Sequence, residues 1–136
     1  MSSYPITTID GIDRDVAAVL KSAGVRSTAS LLKKARTVKG RKALAGTTGF
    51  GEKQLLCWAN VADRMRIRGI SKEYAELLHA AGVDTVKELK YRNPAKLAAA
   101  MAEANKKRKL VRLLPSEKVV ARWIECAKSL ELMITY

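Results

Sequence analysis

The sequence predicts an all-α protein built from two copies of one small helical unit. Three observations predict it. Apolar residues recur at helical spacing along most of the chain. Runs rich in β-branched residues occur only near the two ends of the sequence. One phrase is written twice, "IDGIDRDVAAVLKSAGV" from Ile9 and "IRGISKEYAELLHAAGV" from Ile67. In register, Gly11 meets Gly69, Ile12 meets Ile70, Ala17 meets Ala75 and Leu20 meets Leu78. The match resumes after about seven extra residues in the second copy, where Glu52-Lys53 meets Glu117-Lys118 and Trp58 meets Trp123. The copies divide the chain at 1–66 and 67–136, the second ending in an apolar tail.

In chain order, Ile12, Val16, Val19 and Leu20 form the stripe of a first amphipathic helix. Gly24 and Gly82 stand just past the last apolar turn, where a left-handed residue closes a helix at little steric cost. Thr85 and Glu88 have capping-box spacing for the next helix of the second copy. Helices are expected over 37–45 and 93–109, the latter opening on Asn93 as cap and Pro94 at the first helical position. Leu55, Trp58, Ala62 and Met65 make a further stripe, repeated by Val120, Trp123, Ala127 and Leu130. Both tryptophans are therefore expected in the core. "YPITTI" and "LMITY" are the β-branched segments, and pairing between them is the one strand contact the sequence suggests. Arg66 runs into Ile67 with no Gly/Ser- or Pro-rich linker, so the two units should pack as one rigid body.

Charge narrows the partner. The chain has 26 basic and 13 acidic residues among 136, a formal net charge of +13. Both copies share it, with 12 basic against 5 acidic residues in 1–66 and 14 against 8 in 67–136. Such a balance suits a polyanion. No apolar run approaches a membrane span, and the start lacks the pattern of a secretory signal. Cys57 and Cys126 have no metal-ligand spacing and read as reduced thiols of a cytoplasmic protein, nucleoid-associated if it binds DNA. No metal, cofactor or membrane partner is expected.

The repeated pattern h-x-G-h-x-x-x-x-A-x-x-h, with h apolar, resembles a helix-hairpin-helix (SAM-like) unit. The "GV-x-T-x-x-x-L" continuation is similar to the N-terminal domain of archaeal RadA recombinases and the C-terminal domain of the RNA polymerase α subunit. The second half, with Arg92-Asn93-Pro94, Asn105, Val111-Arg112, Pro115-Ser116 and Trp123, resembles a small bacterial family of unknown function built on such repeats. The resemblance implies tandem helix-hairpin-helix subdomains. It also implies hairpins whose outward backbone amides, aided by the helix dipole, can hold a phosphate oxygen.

Local chemistry ranks the four hairpins. Gly49-Phe50-Gly51 has both glycines and is followed by Lys53; Arg68-Gly69-Ile70-Ser71-Lys72 has one glycine between cations. The hairpin at Gly11 carries Asp10, Asp13 and Asp15, which repel phosphate, and Leu114-Pro115-Ser116 has no glycine. Two basic clusters add to the better pair. One is Lys33, Lys34, Arg36, Lys39, Arg41 and Lys42; the other is Lys106, Lys107, Arg108, Lys109 and Arg112. Both precede the last hairpin of their copy and read as equivalent places in the repeat. Base-specific reading is not expected, because no helix presents Arg, Asn or Gln away from its apolar stripe. With seven aromatics and both tryptophans on stripes, stacking on single strands is also disfavoured.

The sequence thus predicts a non-catalytic protein that grips duplex DNA by its phosphates. A docking module for an acidic protein surface is the alternative. A DNA lyase using Lys53 or Lys72 as Schiff-base nucleophile is a minor one. "GTTGFGEK" falls short of a nucleotide-binding loop, because Glu52 precedes Lys53 and Gln54 replaces the Ser/Thr. His79, the one histidine, sits near a helix end and suggests no catalysis.

Overall fold

The twice-written phrase folds twice into the same local structure. A computed structural model describes residues 3–136. In it the turn Ile9-Asp10-Gly11-Ile12 closes with Ile12 N–H on the Ile9 carbonyl at 3.1 Å. Its counterpart closes with Ile70 N–H on Ile67 at 3.0 Å. The glycines take φ +88° and +93°, values an L side chain rarely adopts. The helices that follow, α1 (Arg14–Ser22) and α5 (Lys72–Ala80), end in one motif. Val25 N–H reaches Leu20 and Val83 N–H reaches Leu78, both at 2.8 Å, while Gly24 reaches Lys21 and Gly82 reaches His79, both at 3.0 Å.

The first copy continues with α2 (Thr28–Ala35), α3 (Val38–Thr48) and α4 (Glu52–Arg64), the second with α6 (Val86–Lys90), α7 (Pro94–Lys107) and α8 (Glu117–Ser129). The fold is all-helical, with a single 3-10 turn at Ile6–Thr8 and no strand among the described residues. α4 packs on α2 and α3, as α8 packs on α6 and α7. Trp58 and Trp123 are 4% and 3% exposed. Trp58 meets the Phe50 ring edge-on and Trp123 meets Tyr74 at a tilt, each at 5.3 Å between centroids. One hydrophobic cluster, from Ile6 to Ala127, runs through both copies.

Gly40 shows how closely the helices of the first copy approach. A Cβ built there would lie 2.3 Å from the Lys34 backbone carbonyl. Alanine in place of a helical glycine ordinarily stabilises by about 0.5–1 kcal/mol. Here the sign reverses, and Gly40→Ala is expected to cost about 1–3 kcal/mol as overpacking forces α2 and α3 apart. Thermal unfolding of the single variant checks it; a stabilised variant would refute the close approach.

Several details depart from the expectations. "YPITTI" does not meet "LMITY". Pro5 makes an isolated bridge with Ser27, and Tyr4 and Thr28 exchange hydrogen bonds. The tail instead reaches the first copy, where Thr135 N–H donates to the Arg36 carbonyl at 2.7 Å and the Tyr136 hydroxyl to Asn60 Oδ1 at 3.1 Å. On α1, Ala17 and Leu20 are buried while Val19 faces solvent, so the stripe is narrower than its spacing implies. α3 runs to Thr48, three residues beyond its expected end, and α7 stops at Lys107. Leu130 caps α8 instead of extending its stripe.

Charged side chains are buried where the copies and the tail meet. Arg66 binds Asp63 through Nη2 at 2.5 Å and Nε at 2.8 Å, and Nη2 also donates to the Glu131 carbonyl at 3.1 Å. Burial pushes the Asp63 carboxyl above its ordinary range, against the opposing pull of the Arg66 guanidinium. Arg64 donates to the Asp84 carbonyl, joining α4 to the loop before α6.

Candidate nucleic-acid interface

A helix N-terminus offers unpaired amides, and a side chain placed before it normally takes one of them. Six of the eight α-helices among the described residues follow this rule. Asp13, Ser27, Thr37, Thr85, Asn93 and Ser116 each accept from an amide of the first turn they precede. The exceptions are α4 and α5, which have no side-chain cap. These are the helices opened by Gly49-Phe50-Gly51 and by Arg68-Gly69-Ile70-Ser71. The two hairpins ranked lower lead into helices capped by Asp13 and Ser116.

Around α4 the approach is open. Gly49 ends α3 at φ +83°, and a Cβ added at Gly49 or Gly51 would meet nothing within 4 Å. Lys53 is exposed beside them. Glu52 occupies the first turn and complements the dipole in its own right. At α5, Ser71 turns its hydroxyl to Glu73 Oε2 at 3.4 Å instead of capping. Arg68 and Gly69 are exposed, Ser71 and Lys72 half-buried.

A residue absent from the sequence reading joins this hairpin. Arg68, Gly69, Val119, Arg122, Trp123 and Cys126 line a depression of about 540 Å³, with two arginines and no acid. Arg122 stands where the first copy has Cys57. The structure pairs each tryptophan with a hairpin glycine, which brings Arg122, the residue before Trp123, to the Gly69 hairpin. A Cβ at Gly69 would sit 3.2 Å from Trp123 Nε1, and one at Gly11 would sit 3.6 Å from Trp58 Nε1.

The basic clusters fare unevenly. Lys33, Lys34, Arg36, Lys39 and Lys42 are exposed, as are Lys106, Lys107, Arg108, Lys109 and Arg112. Arg41 is a correction. It is 4% exposed, and its guanidinium donates to the Ala35 carbonyl at 2.9 Å and the Thr135 carbonyl at 2.6 Å. It holds the tail and is spent as a phosphate ligand. The two clusters are also not equivalent in place. The first spans the end of α2 and the first turns of α3; the second lies at the far end of α7 and beyond. The extra residues of the second copy lengthen α7 and its exit loop, which moves that cluster to the opposite end of the third helix.

His79 pairs with Asp84 through Nδ1. Both line a depression of about 250 Å³ with Lys53, Cys57, Asn60 and Arg64. Burial pulls the Arg64 guanidinium down, while Asp84 opposes the shift. Among the described residues no group of three or more His, Cys, Asp or Glu side chains is arranged to hold a metal ion. No helix of the described residues is long and apolar enough to cross a membrane.

Fold and surface together define an all-helical basic protein with two uncapped, glycine-opened helix starts. Residues 10–130 match the family Domain of unknown function (DUF4332), and the chain belongs to that family. No curated protein and no solved structure matches the chain.

Proposed function

We propose that the protein binds double-stranded DNA through its phosphate backbone, without catalysis and without reading base sequence, on two helix-hairpin-helix units packed as one rigid body. The observation that carries this reading is the pair of uncapped helix starts. Amides without a side-chain cap and the cations Lys53, Arg68, Lys72 and Arg122 coincide at α4 and α5, against one carboxylate in each first turn, Glu52 and Glu73, that competes with a phosphate. The exposed lysines and arginines of both clusters extend the positive surface. Phosphate contacts fix position and carry no base information.

Titration of a labelled duplex across salt concentrations tests the proposal. With about six phosphates neutralised, log K should fall against log salt with a slope near −5, a loss of about a thousandfold between about 50 and 200 mM. Lys39→Ala with Lys42→Ala should flatten the slope by about two units, on every duplex sequence alike. Arg41→Ala should leave the slope unchanged and lower the melting temperature, because its guanidinium faces inward. An unchanged slope in the lysine variants, or no duplex binding at all, would sink the proposal and turn attention to an acidic protein surface.

A further inference from the structure

Most of the residues by which the second copy exceeds the first lie in the loop between α7 and α8, and that loop is held in place. Asn105 Oδ1 accepts from Leu110 N–H at 2.8 Å and Val111 N–H at 3.0 Å, and its amide donates to the Val111 carbonyl at 3.1 Å. The Tyr74 hydroxyl, from α5, donates to the Leu113 carbonyl at 2.9 Å. Fixed from two helices, the loop turns two leucines outward, Leu113 at 76% exposure and Leu114 at 42%. Nowhere else among the described residues do two consecutive large apolar side chains face solvent. Single exposed leucines are ordinary, but an adjacent pair held out by an ordered backbone is apolar surface available for contact.

The same loop is strongly cationic. Residues 106–116 contain Lys106, Lys107, Arg108, Lys109 and Arg112 and no acid. Lys106 pairs with Glu103 at 3.3 Å, and the other four form no ion pair among the described residues. Cations and apolar groups share one surface: Lys106, Lys109, Leu110, Val111, Arg112 and Leu114 line a groove of about 560 Å³.

We propose that this loop docks the protein on an anionic lipid bilayer, with the cations at the headgroups and Leu113 and Leu114 in the acyl boundary beneath them. A bilayer offers negative charge and an apolar layer within about 5–10 Å of each other, the pairing this loop presents. A duplex backbone satisfies the cations but seats a leucine only if base steps are unstacked. Each cation near such a surface contributes roughly a fivefold gain in partitioning, and each inserted leucine roughly tenfold or more over alanine. Continuous apolar runs mark spans and not loops of this kind, so the sequence alone suggests no membrane partner.

Co-sedimentation of the full chain with vesicles tests it, comparing phosphatidylcholine alone with phosphatidylcholine containing phosphatidylserine. The protein should partition onto the anionic vesicles only. Leu113→Ala with Leu114→Ala should weaken that partitioning by roughly a hundredfold, with duplex affinity and melting temperature unchanged, since both side chains face solvent. In a second measurement, the added indole of Leu113→Trp should be quenched by bromine-labelled acyl chains, above the background of the buried Trp58 and Trp123. Wild-type vesicle binding by the double variant would mean adsorption by charge alone and overturns the proposal, as does an unquenched indole. Loss of duplex affinity in the double variant with vesicle binding intact would place the leucines against DNA instead.

Discussion

Replacing Trp123 by alanine should lower the unfolding free energy by about 3–5 kcal/mol, out of a total of about 5–15 for a domain of ordinary stability. The side chain is almost wholly buried, packs on Tyr74, and backs the Gly69 turn. Its removal opens a cavity beneath the hairpin as well as losing apolar contact. The melting temperature should fall by roughly 10–20 °C. Trp58→Ala should cost a similar amount, because Trp58 stands in the same relation to Phe50 and Gly11. A melt unchanged by Trp123→Ala, with loss of DNA binding, would mean that the ring is a contact and not a core group. Gly69→Val should also lower the melting temperature, because the φ of +93° and the nearby indole leave no room for a branched side chain.

Asp63→Ala is expected to be as severe, about 3–5 kcal/mol. It strands the buried Arg66 guanidinium, whose remaining protein acceptor is the Glu131 carbonyl. The pair itself is a different matter. Burial already works against the Asp63 charge, and an apolar pair of similar volume is often neutral or better. Asp63→Leu combined with Arg66→Met should therefore recover much of the loss seen in Asp63→Ala. Denaturant titrations of the three proteins check this. A double variant less stable than Asp63→Ala would mean that the ion pair contributes net stability of its own.

The helices and the paired glycines were legible because they rest on local rules: apolar spacing, capping residues and positive-φ turns act within a few positions. The cap on α1 was legible in the same way, since Asp13 stands directly before the helix whose Val16 amide it binds. Arg41 was illegible because its acceptor lies 94 residues away. A cation among cations reads as solvated until the tail that encloses it is known. The clusters lost their equivalence because inserted residues shift position along α7 without disturbing its apolar stripe. Arg122 was hidden by its neighbour, for Trp123 marks that helix as core and draws attention from the residue beside it.

The tail also ties the fold to time. The Arg41 guanidinium has one acceptor close by, the Ala35 carbonyl, and a second, the Thr135 carbonyl, 94 residues further along the chain. At about 5–20 residues per second of synthesis, the arginine emerges roughly 5–20 s before this second acceptor, the Thr135 carbonyl, exists. During that interval the first copy lacks the contacts that Thr135 makes with Arg36 and Arg41 and Tyr136 makes with Asn60. The tail's hold on the first copy is therefore set only when Thr135 leaves the ribosome.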